Sequence, residues 1–324
     1  MSPALRSFLA GLVDYAGLFP PAGLEMTAAV DQYARHRGET VSWMLGRFVV
    51  PAGRLADLQQ AAAGLMTPER PWAFSVLLGD RQDPARSLTA LGEQATAVAR
   101  FLDRGQAAVA VDAFEIAVPA DLAVDQVSGF VTEAMAILRS AGLAGREVFW
   151  EIPPDAPQSA EAPLLAGLRA AADHLTGSGR SADRLGVKLR CGGITPEAFP
   201  SVERVARIIG GARDRRLPLK GTAGLHHPVR FQAARPTVMM HGFFNFFGAG
   251  LLAHAHGWDA ERLATVVAET DPAAFGFSAA GFHWREHRVA AEDVARLRRD
   301  YLRGFGSCSF AEPREDLENL GHLV

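Results

Sequence analysis

The sequence predicts an α/β fold, a (β/α)8 barrel of TIM type formed as a single domain over residues 1–324, with a β-hairpin near residues 274–289. Three observations carry that prediction. Short runs rich in Val, Leu, Ile and Phe are almost continuous in hydrophobicity, as strands covered on both faces must be. Amphipathic stretches of helical length separate them. The two kinds of segment alternate at intervals of roughly 30 to 40 residues, the spacing of βα units on a parallel sheet.

The elements follow in order. Leu12–Phe19 is the expected first strand, ahead of a helix at Glu25–His36. Met44–Val50, Trp72–Leu78, Val109–Val118, Glu147–Ile152, Leu185–Cys191 and Leu217–Ala223 supply six more apolar runs of strand length. Between them, Pro84–Arg104, Ala123–Ser140, Ala160–Leu175 and Glu197–Ile209 repeat apolar residues three and four apart. Thr195-Pro196-Glu197 opens the last of these as a capped helix start, with proline at the first helical position and an early acid. Phe243–His256 is rich in Phe and Ala without strict alternation and reads as a helix. The last strand is expected near Ala274–Ser278, where Phe275–Phe277, a turn at Ala279-Ala280-Gly281 and Phe282–Val289 also read as a hairpin. A helix over Ala291–Arg303 and a tail ordered against the barrel complete the chain.

Composition narrows the function classes. Hydrophobic residues make up 48% of the chain and charged ones 21%, enough to bury a large core and too little charge for a disordered chain. A net charge of −3 without long like-charge runs argues against a nucleic-acid binder. The apolar stretch Leu5–Leu18 is broken by Arg6 and Asp14, and no stretch approaches a membrane span, so neither signal peptide nor membrane partner is expected. Cys191 and Cys308 stand alone, which suits a reducing cytoplasm and offers no zinc-ligand spacing. Outer helices of such a barrel offer surfaces for a homo-oligomer, though nothing in the sequence specifies one.

The most unusual feature is the lysine count. Of 33 lysines and arginines only Lys188 and Lys220 are lysine. Arg is always protonated, whereas a buried Lys can lose its proton and act as nucleophile or base. Each lysine closes an apolar run and leads into Gly-rich sequence, the strand-end position at which this fold builds its sites.

Reading the other strand ends adds Arg47, Glu115, Glu151, Arg190 and Thr222, with His226 and His227 in the loop past Lys220. Lysines, an arginine and two carboxylates inside an apolar barrel would form a dense ionic cluster in which a lysine pKa can fall. The bland reading of Glu115 and Glu151 is as counter-ions, and Arg47 could as readily cap the barrel as grip a ligand. Gly192-Gly193 beside Arg190, ahead of the expected helix, could cradle an anionic group on backbone N–H groups. No phosphate-loop, dinucleotide-binding or nucleophile-elbow motif occurs.

Val148-Phe149-Trp150-Glu151-Ile152, Lys188 and Lys220-Gly221-Thr222-Ala223-Gly224-Leu225 together bear a remote resemblance to the class I deoxyribose-phosphate aldolase group. In that group a Glu-bearing strand precedes a Schiff-base lysine in Lys-Thr-Ser-Thr-Gly-Phe, and a second lysine strand with Gly-Gly follows. By order Lys188 matches the imine lysine; by motif Lys220 does. The resemblance covers roughly Glu147–His227, and the chain as a whole reads as a bacterial barrel family outside the aldolases.

The expected function is therefore a cofactor-independent lyase or aldolase acting through a lysine imine on a small anionic carbonyl metabolite. Lys220 and Lys188 are the candidate lysines, with Glu151 and Glu115 as acid and base. Arg190, Gly192, Gly193, Thr222, His226, His227 and Arg47 are the candidate substrate-binding residues. Two alternatives stay open. One is a divalent-metal lyase or hydrolase with Glu115, Glu151, His226 and His227 as ligands, and the other a catalytically silent barrel that binds an anionic metabolite.

Overall fold

The computed structural model describes residues 1–81, 83–177, 184–234 and 237–323. Eight parallel strands close into a barrel. Seven of them come in chain order: β1 (Val13–Tyr15), β2 (Leu45–Pro51), β3 (Trp72–Leu78), β4 (Val109–Ala117), β5 (Glu147–Glu151), β6 (Arg184–Arg190) and β7 (Leu219–Thr222). Two hairpin strands, β8 (Phe231–Ala234) and β9 (Thr237–Met240), form a separate antiparallel pair. A three-stranded antiparallel sheet follows, made of β10 (Phe275–Phe277), β11 (Gly281–Trp284) and β12 (His287–Ala290). The eighth barrel strand is β13 (Leu302–Ser307), between β7 and β1 in the order β1-β13-β7-β6-β5-β4-β3-β2.

That strand corrects the sequence reading. Phe275–Phe277 pairs antiparallel with Phe282–Trp284, so it belongs to the predicted hairpin and cannot also close a parallel barrel. The true closing strand, Leu-Arg-Gly-Phe-Gly-Ser, is masked by glycines that weaken any strand signal. One of them is needed for contact: a Cβ on Gly304 would lie 2.8 Å from the Leu12 carbonyl oxygen. The hairpin β8–β9 was absent from the sequence reading because its runs are only four residues long and half of β8 is alanine.

Eleven helices occur among the described residues: α1 (Pro3–Leu9), α2 (Met26–His36), α3 (Leu55–Ala61), α4 (Pro84–Gly105), α5 (Val127–Ser140), α6 (Gln158–Gly177), α7 (Val202–Asp214), α8 (Phe243–His256), α9 (Ala260–Ala268), α10 (Ala291–Asp300) and α11 (Ala311–Asn319). None is long and apolar enough to cross a membrane. The expected capped start at Thr195 is a single 3-10 turn, Pro196–Ala198, and Thr195 makes no capping bond. Pro200 has no N–H to continue a helical ladder, so α7 starts afresh where the Ser201 hydroxyl accepts the Arg204 N–H.

By compactness the chain divides into two units. Residues 24–38 and 47–188 form one; residues 1–23, 39–46 and 189–324 form the other. The first is packed around Tyr33, Phe48, Trp72 and Phe74, whose rings meet edge to face or stacked. The second centres on Phe8, Phe244, Phe247 and Phe305. There α8 is buried without a break from Phe243 to Ala253, which explains its lack of amphipathic alternation.

Candidate functional site

Register brings one ionic cluster together at the carboxyl ends of β3 to β6. Glu151, the last residue of β5, lies opposite Lys188 on β6, while Ala117 of β4 lies opposite Glu151. Side chains repeat on a strand face every second residue, so Glu115 shares the face of Ala117. The contacts bear this out: Lys188 Nζ is 2.6 Å from Glu115 Oε2 and 2.7 Å from Glu151 Oε2. Ser75 Oγ of β3 donates to Glu115 Oε1 at 2.6 Å. Arg81, just past β3, donates from Nη1 and Nη2 to the two oxygens of Glu151.

All three ionised strand residues are buried, whereas the Arg81 side chain is 51% exposed. They lie at a cleft of about 450 Å³ that Leu77, Gly79, Asp80 and Gln94 also line. Burial pushes the Lys188 amine down, but the Glu115 and Glu151 carboxylates outweigh burial and hold it above its ordinary value. Lys188 therefore rests as an ammonium, with two proton acceptors in contact. Two cations balance two carboxylates, which makes the cluster tolerable in a dry interior.

Lys220 has a different setting. Its side chain is wholly buried and pairs with Asp14 of β1, itself buried. Arg298 of α10 lies nearby in charge terms, yet its guanidinium donates to the carbonyls of Phe8, Ala10, Leu302 and Arg303. Burial and then Arg303 pull Arg298 down to about 9, with Asp14 opposing. Lys220 is thus held in a buried ion pair with Asp14 and is absent from the lining of either described cleft.

Arg47 sits early in β2 and pairs with Glu147, the first residue of β5, at 3.1 Å and more loosely with Asp112 at 3.9 Å. That is the amino end of the strands, away from the Lys188 cluster, and it corrects the strand-end placement read from the sequence. Asp112 is the extra residue of a β3–β4 bulge, between the register pairs Phe74–Val111 and Ser75–Ala113, and is exposed. Gly192-Gly193 precedes only the uncapped 3-10 turn and not an α-helix. A Cβ on Gly192 would meet the Gly224 Cα at 2.8 Å and the Phe199 ring at 2.6 Å, so close packing requires glycine there. Arg190 is partly exposed beside them, and the carbonyl of Thr222 accepts the Cys191 N–H.

The histidine pair forms a second constellation. His226 Nδ1 lies 2.9 Å from Glu312 Oε2 and 3.3 Å from Ser307 Oγ. His227 Nδ1 bonds to Asp316. Glu312 and Asp316 are four residues apart on α11, one helical turn, and so meet adjacent histidines together. The bond from His226, working against burial, holds the Glu312 carboxyl below its usual range.

The Lys188 cluster and the histidine pair belong to different compact units, so the four proposed metal ligands are not one constellation within either. Among the described residues no three His, Cys, Asp or Glu side chains are grouped to hold a metal ion. Within the first unit, the Lys188 ammonium already fills the position between its two carboxylates.

Arg81, Ser75, Glu312 and Asp316 were not anticipated. Arg81 follows β3 by three residues, in Gly79-Asp80-Arg81, and reading past the last apolar residue of that strand would have found it. The α11 carboxylates had no sequence signal, because only the fold sets that tail against the histidine loop. No family model and no curated protein sequence matches this chain.

Proposed function

We propose that this chain is a lyase acting on a small anionic carbonyl compound, with Lys188 as its reacting lysine. The observation that carries this reading is a buried lysine held 2.6 and 2.7 Å from two carboxylates at the floor of an open cleft. A lysine flanked by its own proton acceptors can be made nucleophilic on demand. Arg81, half exposed at the same cleft, has guanidinium donors beyond the two that Glu151 uses and would meet the anionic end.

In the imine route, Glu115 or Glu151 takes a proton from the ammonium as the carbonyl enters. Nζ adds to the carbonyl carbon and the oxygen leaves as water. The protonated imine then receives the electron pair of the breaking C–C bond, while a carboxylate takes the hydroxyl proton of the departing fragment. The raised Lys188 pKa favours a second, non-covalent route. There the ammonium stays protonated and stabilises an enolate oxygen, with a glutamate as base.

Borohydride with pyruvate, glyoxylate or acetaldehyde separates the two. The imine route predicts a reduced adduct on the Lys188 peptide and none on Lys220, abolished in Lys188→Arg. Turnover without an adduct, partly retained in Lys188→Arg, would assign the ammonium route. Ligand binding that survives Lys188→Arg without turnover of any carbonyl compound would overturn the lyase reading.

A further inference from the structure

A second cleft, of about 520 Å³, lies wholly within the unit that contains the histidine pair. Its walls are mostly apolar: Pro20, Pro21, Ile194, Phe199, Phe231 and Met240. Ile194 is 67% exposed, so the cleft presents apolar surface to solvent. Among the described residues the polar lining is His226, His227 and Glu312, without a lysine or arginine.

The chemistry of His226 fixes what it can bind. Glu312 is a carboxylate and can only accept, so the proton of the neutral ring sits on Nδ1. Nε2 is left with a lone pair and makes no hydrogen bond among the described residues. His227 is oriented in the same way by Asp316, with its ring edge-on to Phe231 at 4.1 Å. With both rings neutral, the two Nε2 lone pairs, each ring backed by a carboxylate, favour a hydrogen-bond donor over an anionic group.

We infer that this cleft is a ligand site, separate in its chemistry from the Lys188 cluster, for a neutral apolar molecule carrying a hydroxyl group. The hydroxyl donates to His226 Nε2 while the apolar body lies against Phe199, Phe231, Met240 and Ile194. The Glu312 carboxylate fixes the tautomer and strengthens His226 as an acceptor.

The test uses the full chain labelled with 15N-histidine, titrated with phenol, benzoate and benzylamine. Phenol should saturate and move the Nε2 resonance of His226. His226→Gln should weaken phenol by about tenfold or more, the worth of one buried hydrogen bond. Met240→Trp, which adds bulk to the cleft lining and leaves both histidines in the sequence, should abolish binding, so the proposal stays testable if His226→Gln perturbs folding. Benzoate or benzylamine binding as tightly as phenol would overturn it. So would phenol binding unchanged by either substitution.

Discussion

At the scale of single residues, the two lysines have opposite fates. Both were legible as strand-end exceptions to an arginine-rich chain, but which one lines a described cleft was not, because that depends on which side chains the fold gathers around it. Lys188 meets two carboxylates and an open cleft; Lys220 meets Asp14 in full burial. Cys191 is similarly decided by surroundings. Its thiol is buried and burial pushes its pKa well up, outweighing Arg190, so almost no thiolate exists at neutral pH. Cys308, also buried, is pushed up in the same sense. Native protein treated with iodoacetamide at pH 8 should keep both thiols, and unfolded protein should lose both. Rapid native alkylation of Cys191 would contradict this burial.

At the scale of elements, the six central apolar runs and α8 were read within a few residues, because continuous hydrophobicity and length identify them whatever surrounds them. Elements whose identity depends on partners were lost. β13 needed its glycines explained by close approach, and α7 needed Pro200 weighed against Thr195. Inside α8, Asn245 shows how a fully buried helix tolerates a polar residue. Its amide donates to the carbonyls of Val266 and Glu269 and its oxygen accepts the Arg230 N–H, each at 2.8 Å. It thereby ties α8 to α9 and to the approach to β8. Asn245→Ala removes all three of these bonds and should lower stability by about 2 kcal/mol in chemical denaturation. A change within about 0.5 kcal/mol would mean water replaces those bonds.

At the scale of the whole molecule, the barrel was legible and its chemistry only partly so. The alternation of βα units fixes which strand ends face one rim, and that sufficed to nominate Glu115, Glu151 and Lys188. It could not supply Arg81, which follows its strand, or the α11 carboxylates, which come from the far end of the chain. The central claim is that carbonyl acid–base chemistry runs at Lys188, whether by imine or enolate. The most direct measurement is exchange of the protons on the carbon next to the carbonyl (the methyl of pyruvate and acetaldehyde, the methylene of 2-oxobutyrate) for deuterium in D2O, followed by proton NMR. Wild-type protein should accelerate exchange in at least one of them, and Lys188→Met, verified as folded by circular dichroism, should lose about 10²- to 10⁴-fold of that rate. No exchange with any of the three, or full exchange in folded Lys188→Met, would contradict the account.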